Sequence, residues 1–570
     1  MRRIFVLALA ALALLGVVTP DAFAQAPTPT FKINGLIDQV FSYSRNTSNY
    51  DGNLNVNDKQ TYGRTRGRLD FIGEVGKAKG VVGIEMDMTY GQTGSNDSTI
   101  VNAGGAATTA VQTNFGSDGG FDINTDTRGI IELKWLYTEF EVPLIPVPTV
   151  VRIGAQPFGA AATYKLAAYA TGDFPGLNVV TTITPNVKVN ATYVQVEEML
   201  SGCRTSPAFP NCNNNTASPN LGGIGYSQLR GDDFAIIMSP EITPIKGLDL
   251  KPMYSYFYAS GTTSGSSRAG RGGVNTSTAY TNADGSWRPG INEDRHTVGL
   301  DGRLRLGPFS LDPTIMYQFG HRDVVVPGVP GGGCTVTNGS NCLALASGKA
   351  PGSIARADID AWLFDIRAGF QIGPLLIEGM YMFSSGNKAR DTTLNNVRYY
   401  QPLTTDTGYL ADWGAQLSAL GIDYLNAQME SALAIPYQGN QIGWDKYGRH
   451  QASVKASYFL TPNLSGMGGV AVHFTHRAID TNGIPQNSVG GVPGGGLLPA
   501  FATGKQAGDT NYMGTELFSV VTWRFAPGLS WDNGAGYMFA GEGMNALTLA
   551  NGPRSARDTF MYSSRVRFTF

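Results

Sequence analysis

The amino-acid sequence predicts an all-β protein, a transmembrane antiparallel β-barrel of about 18 strands, with 16 strands as the alternative. Two observations carry this prediction. Apolar and polar residues alternate with period two along many segments, and short turns alternate with long polar segments along the chain. Period two indicates strands with one apolar and one polar face, and alternating connection lengths are typical of a barrel that crosses a membrane. A soluble sandwich or propeller would have turns of mixed length.

The composition excludes two classes of protein. With 42 basic and 44 acidic side chains the chain lacks the basic excess of a nucleic-acid-binding protein. Its mean hydropathy is −0.11, and past the N-terminus it has no apolar run of about 20 residues, the length that a membrane helix requires. Only 15% of the residues are charged, against about 25% in a typical soluble domain. These values fit either a very Gly-rich soluble β-protein or a chain that crosses a membrane with strands, and composition alone does not choose between them.

Residues 1–24 have the pattern of a secretory signal peptide. Two arginines precede an apolar stretch over 4–18, and Ala22-Phe23-Ala24 provides an A-x-A cleavage signal. We expect the mature chain to begin near Gln25 and to be exported, with 25–570 forming a single barrel.

The strand pattern is clearest over 309–319, where every second residue is apolar and Ser310, Asp312 and Gln318 lie on the other face. Eight short turns join about 16 such strands, and a first strand at 31–45 with a last at 557–570 gives about 18, an even number as in single-chain bacterial barrels. We expect the short turns to be periplasmic and the long segments to be extracellular loops. The turns lie at 76–80, 142–149, 184–186, 240–247, 307–308, 373–374, 461–463 and 526–528, and the long segments at 46–61, 91–126, 198–230, 260–292, 322–356, 386–445, 478–510 and 542–556.

Three parts of the sequence resemble Gram-negative outer-membrane porins. The end of the chain, Tyr562-x-Ser564-x-Val566-x-Phe568-x-Phe570, resembles the C-terminal signature that the barrel-assembly machinery recognises. The segments 63–71 and 79–85 resemble the second and third porin strands, and 151–156 resembles the strand that leads into the porin constriction loop. The resemblance implies a homotrimeric barrel in contact with outer-membrane lipids, which binds the assembly machinery through Phe570 and passes small hydrophilic solutes passively.

The sequence departs from general porins in two ways. General porins have 16 strands, and 18 is more similar to sugar-specific and basic-amino-acid-specific channels and to the alginate exporter. The acidic Pro-Glu-Phe-Gly-Gly motif is replaced by Pro157-Phe158-Gly159-Ala160-Ala161. The first alternative function is therefore a substrate-specific or export channel, and the second is a structural barrel that sheathes an electron-conduit cytochrome or displays adhesive loops. We expect 158–174 to narrow the pore, with an ordinary extracellular loop as the alternative.

Charged residues on the polar strand faces are expected to face the lumen, because an arginine that faces lipid at mid-bilayer costs about 2–4 kcal/mol. Two interpretations stay open: the arginines favour the passage of anions, or they pair with carboxylates and brace the wall. The predicted pore-lining residues are Arg64, Arg66, Arg68, Glu85, Asp87, Arg152, Lys165, Asp173, Arg303, Arg305, Arg367, Arg565 and Arg567, with Lys455, Asp38, Glu132, Asp312, Asp365 and Glu378 as further candidates.

The longest loop, 386–445, has apolar residues at near-helical spacing. They predict an amphipathic helix that packs within the loop or lines the mouth of the barrel. Its members are Leu410, Trp413, Leu417, Leu420, Leu425 and Met429.

Catalysis, a metal site and a cofactor are not predicted. The five histidines are scattered, and His473 and His476 lie on opposite faces of one strand. No nucleophile elbow, phosphate-binding loop or zinc motif occurs in the sequence. We therefore expect a channel rather than an enzyme.

The four cysteines predict two local disulfides. Cys203 and Cys212 lie in one Asn- and Pro-containing segment, and Cys334 and Cys342 lie in one Gly-rich segment. The oxidising compartment to which a signal peptide leads permits such bonds, and the chain has no C-x-x-C metal motif.

The exported protein is accordingly expected to have no free thiol. Alkylation of the denatured, unreduced chain should add no label by mass spectrometry, and alkylation after reduction should label all 4 cysteines. The Cys203→Ser variant should expose a single reactive thiol, at Cys212. Labelling of the unreduced wild-type chain would contradict the disulfides, and a different thiol in the variant would contradict their pairing.

Overall fold

The computed structural model describes residues 28–47, 59–90, 131–143, 145–158, 168–197, 233–260, 291–326, 348–351, 353–388, 395–403, 447–479, 508–547 and 556–570, with short fragments between them. The predicted signal peptide, the four cysteines and Lys165 lie outside the described residues. Within them, no helix is long and apolar enough to cross a membrane.

Eighteen strands form the wall of a closed antiparallel barrel. The whole sheet has 20 strands, of which Gly119–Phe121 and Asn396–Val397 are short parallel additions to its wall. The wall strands are β1 (Thr30–Arg45), β2 (Lys59–Val75), β3 (Ala78–Tyr90), β4 (Ile131–Glu141), β5 (Thr149–Pro157), β6 (Asp173–Thr184), β7 (Val187–Glu197), β8 (Asp233–Ile245), β9 (Leu248–Ser260), β10 (Ile291–Leu306), β11 (Phe309–Val325), β12 (Ile354–Ile372), β13 (Leu375–Ser384), β14 (Arg449–Thr461), β15 (Leu464–Ile479), β16 (Thr510–Ala526), β17 (Leu529–Ala540) and β18 (Thr559–Thr569).

Each wall strand pairs with the next one in the chain, and β18 pairs with β1 to close the barrel. The closing register runs from Leu36 opposite Thr569 to Arg45 opposite Phe560. At its end Gly35 and Phe570 exchange backbone hydrogen bonds of 2.9 and 3.0 Å. The prediction of a closed antiparallel barrel with about 18 strands is thus confirmed.

All eight predicted short turns connect strands that pair as hairpins. In two of them, Gly307 and Gly373 take φ angles of 57° and 55°. A positive φ suits the tight turns whose twist matches the twist of paired strands, and glycine adopts it without steric cost. These residues therefore allow the strands β10–β11 and β12–β13 to be joined directly.

The two faces of the wall differ in chemistry, as the period-two pattern predicts. In β1, Asp38 and Ser42 are buried on the inner face while Ile37 and Phe41 are exposed on the outer face. The exposed side chains of other wall strands, such as Leu517, are likewise mostly aliphatic or aromatic. The wall therefore presents an apolar belt outward and a polar surface inward.

The largest buried apolar cluster lies inside the barrel. Tyr169, Tyr400 and Trp413, which belong to connections between wall strands, pack with inward-facing side chains that include Phe257 of β9 and Met316 of β11. Parts of two long connections therefore fill one side of the interior.

The outer belt is expected to contact lipid, so a charge placed there should destabilise the barrel. Leu517 lies near the middle of β16 on the outer face, and Leu517→Arg should lower the free energy of unfolding in lipid vesicles by about 2–4 kcal/mol. The matched control is Thr522→Arg on the same strand, because Thr522 faces inward and donates to Asp532 at 2.7 Å. An equal loss in both variants would contradict the assignment of the faces.

Candidate functional site

The register of the wall places opposite charges directly across from each other on its inner face. Across β2 and β3, Arg66 is opposite Asp87 and Arg68 is opposite Glu85. The same holds for Asp38 and Arg567, Asp532 and Arg565, Glu139 and Arg152, and Glu378 and Lys455. Opposed charges on one face of a sheet stabilise the strand pair.

The densest group lies on β2 and β3. Asp87 accepts a hydrogen bond from Arg66 Nε at 2.8 Å and another from Arg64. Arg68 donates to Glu85, which also lies 3.7 Å from Arg66 Nε. Three arginines and two carboxylates therefore form one continuous network along the inner face.

The network continues across the closure of the barrel. Arg567 Nε donates to Asp38 Oδ1 at 2.6 Å, and Arg565 Nη2 donates to Asp532 Oδ2 at 2.8 Å. The network contains five arginines, which we call the arginine ladder: Arg64, Arg66, Arg68, Arg565 and Arg567.

On the other side of β3, the charges pair in the same way. Lys134 Nζ lies 3.2 Å from Glu85 and 2.9 Å from Asp173, whose other oxygen accepts a hydrogen bond from Trp135. Arg152 Nη2 donates to Glu139 at 2.6 Å. Asp173, the one acidic residue predicted near the constriction loop, is therefore bound by a lysine and a tryptophan.

Of the remaining predicted residues, Glu132 lies on β4 opposite Glu85, and the others lie on β10 to β14. Arg305 Nη2 donates to Asp312 at 2.9 Å, Arg303 lies opposite Asp249, and Arg367 Nη2 donates to Asp365 at 2.9 Å. These pairs are separated from the arginine ladder around the wall, so the predicted set does not form one cluster.

Four of the five ladder arginines are more exposed than the carboxylates they bind, and the exception is Arg64, which is buried beside Asp87. The side chain of Arg68 is 32% exposed and that of its partner Glu85 is 9% exposed. For Arg567 and Asp38 the values are 34% and 6%. The longer guanidinium side chains lie over the carboxylates, so the accessible surface of this part of the wall is cationic although its charges are paired.

The first inner segment, 168–172, precedes β6 and contacts the inner face of the wall at β9. Tyr169 is fully buried, and its hydroxyl donates to Ser255 Oγ of β9 at 2.8 Å. Next to it, the rings of Phe158 and Phe174 stack with centroids 3.9 Å apart. The described part of the predicted constriction loop thus lies inside the barrel, and 159–167 lie outside the described residues.

The second inner segment, 395–403, packs on the same side. The backbone N–H of Gln401 donates to Gln318 Oε1 at 2.8 Å, and Gln318 Nε2 donates back to the Gln401 carbonyl at 2.7 Å. The Tyr400 hydroxyl donates to the carbonyl of Ala168 at 3.0 Å, and Leu403 N–H donates to the carbonyl of Tyr169 at 2.8 Å. The two inner segments therefore hold each other against β9 and β11.

The third inner segment, described at 409–410 and 413–414, covers the wall between β12 and β14. The Tyr409 hydroxyl donates to Asp365 Oδ2 at 2.7 Å, and burial raises the pKa of Tyr409 well above its ordinary value, which keeps the donor protonated. The Trp413 carbonyl accepts hydrogen bonds of 2.7 Å from both Gln451 and Ser453. Leu410 and Trp413 are buried here, whereas the other members of the predicted helix lie outside the described residues.

Sequence reasoning placed the ladder residues on the inner face and predicted that 158–174 narrows the pore, but it missed the second inner segment. Tyr169, Tyr400 and Gln401 have no periodic pattern that marks them as interior. The spacing of Leu410 and Trp413 was the one available signal, since it indicated an apolar face. No group of three or more His, Cys, Asp or Glu side chains close enough to hold a metal occurs in the part of the chain that the structure describes.

The barrel is similar to solved structures of outer-membrane proteins. The match to Acinetobacter baumannii OccAB1 covers 95% of this chain and 96% of the OccAB1 chain, with 12% identity and a TM-score of 0.45. The match to Pseudomonas aeruginosa OccK8 (OprE) has 11% identity and a TM-score of 0.45. The match to P. aeruginosa OpdK with vanillate has 9% identity and a TM-score of 0.44. Each of these two matches covers 95% of this chain and 98% of the other protein's chain. No family model and no curated protein matches the sequence.

The pairing within the ladder predicts a large loss of stability when a buried carboxylate is neutralised. Asp87→Asn should lower the free energy of unfolding by about 3 kcal/mol, because it removes a buried charge that two arginines bind. Asp312→Asn is the control, and it should cost less than about 1 kcal/mol because its partner Arg305 is exposed. Urea unfolding followed by tryptophan fluorescence measures both values, and equal losses would contradict a bracing role for Asp87.

Proposed function

We propose that the chain is an outer-membrane channel through which small hydrophilic solutes diffuse passively, with a preference for anions. The observation that carries the proposal is the closed wall itself, which is apolar outside and lined with paired charges inside. In hydrocarbon every backbone polar group needs a partner within the protein, and a closed sheet supplies it. The short turns would lie in the periplasm and the long connections outside the cell.

The preference for anions follows from the accessible arginines of the ladder. Cations that lie above buried carboxylates present a positive surface to a passing solute, and the low dielectric constant of the wall strengthens their field. Because the same arginines are ion-paired, they would also brace the wall, so the two interpretations of these residues are compatible.

A substrate-specific channel is a second candidate, and the inner segments favour it. Tyr169, Tyr400 and Trp413 lie inside the barrel and narrow one side of it with aromatic side chains. Liposome swelling with neutral sugars of increasing size separates the two candidates. A graded dependence on size supports general diffusion, and uptake of one solute far above its size class supports a specific channel.

Neutralising the two most accessible ladder arginines should weaken anion selectivity. In a planar bilayer under a salt gradient, Arg68→Gln/Arg567→Gln should reduce the anion-to-cation permeability ratio roughly twofold. Lys77→Gln is the control, because Lys77 lies in a short turn and is 74% exposed outside the lumen. An unchanged ratio would contradict selectivity by the ladder, and a wild-type protein without conductance would contradict passive diffusion.

A further inference from the structure

Two cations of the inner wall are covered by one aromatic side chain. Lys455 Nζ of β14 lies 4.0 Å from the centroid of the Trp413 ring, and Arg367 Cζ of β12 lies 5.5 Å from it. Tyr409 adds a second ring, 4.8 Å from Arg367 Cζ. A cation over an aromatic face is attracted to the ring quadrupole, most strongly when water is excluded.

These two cations lie at the same level of the barrel as the ladder. Arg367 is five residues before the end of β12, Lys455 is six before the end of β14, and Arg68 is seven before the end of β2. All three strands end at the side of the short turns. Arg367 and Lys455 therefore belong to one ring of charge with the ladder.

The cover over them is fixed to the wall by its backbone. The Trp413 carbonyl accepts hydrogen bonds from Gln451 and Ser453, which precede Lys455 on the inner face of β14. The Trp413 amide donates to the carbonyl of Leu410 at 2.9 Å, so the ring is held in a short turn. As a result Lys455 is only 7% exposed.

We propose that Trp413 is a specificity-determining residue that withdraws Lys455, and Arg367 in part, from the conducting surface and so reduces the cationic surface on this side of the lumen. The inference rests on the proposed channel function. Because Trp413 is itself buried, its replacement by alanine would leave a polar cavity in which water and ions reach both cations, each still beside a carboxylate. Trp413→Ala should then raise the anion-to-cation permeability ratio, because it adds cationic surface to the conducting path.

Reversal potentials in a planar bilayer under a salt gradient test the proposal. Trp413→Ala should raise the permeability ratio for chloride over potassium roughly twofold, and Trp413→Phe, which keeps an aromatic cover, should stay near wild type. In the Arg367→Gln/Lys455→Gln background, Trp413→Ala should leave the ratio unchanged while conductance still increases. A rise in that background would overturn the proposal, because it would show that a wider path alone changes the ratio.

A control and a second measurement separate this proposal from the channel function. Trp523→Ala removes an exposed tryptophan of the outer face and should change neither conductance nor selectivity.

Acetylation of amines followed by peptide mass spectrometry requires no transport. Lys455 should be protected in the wild-type barrel and reactive in Trp413→Ala, while exposed Lys77 reacts in both. Equal labelling of Lys455 in both proteins would overturn the proposal even where no current is measured, and Trp413→Phe should restore protection.

Discussion

The backbone of β1 pairs with that of β18 from Leu36 to Arg45, and the interior of the molecule depends on this pairing. An open sheet would leave two rows of unpaired N–H and C=O groups, each of which costs several kcal/mol in hydrocarbon. The terminal residue takes part directly, since Phe570 exchanges backbone hydrogen bonds with Gly35. Closure also brings Asp38 next to Arg567, so the charges of the two chain ends join in one network.

Closure with a definite register accounts for the placement of the arginines. A slip of one residue would turn every side chain of a strand to the other face. For β2 this would move Arg64, Arg66 and Arg68 from carboxylates into the apolar belt, at about 2–4 kcal/mol for each arginine near mid-bilayer. The ladder is therefore a consequence of the register and also a reason why only one register is stable.

The sequence was sufficient to predict the wall, because each wall strand carries its own alternation and each hairpin its own turn. The alternation is weak over 174–183, where Pro175 and Gly176 interrupt it. Even so, this stretch forms β6, which extends one residue further at each end. The ion pairs could not be predicted in detail, because Arg66 and Asp87 are opposite only once the register of β2 and β3 is known. The second inner segment had no local signal. The conformation of Gln401 is set by Gln318 and Arg322, which are about 80 positions away in the chain.

The two sides of the lumen have complementary physical roles. On the ladder side, cations lie over carboxylates, which attract an anion but leave it weakly bound because each cation is already partly neutralised. On the opposite side, the inner segments pack buried aromatic and amide side chains against the wall, and Lys455 beneath Trp413 is withdrawn. A channel needs sites that favour entry and still permit release. A partly neutralised cationic side that faces a side on which Lys455 is covered meets both requirements, whereas a complete ring of accessible cations would hold an anion more strongly and slow its exit.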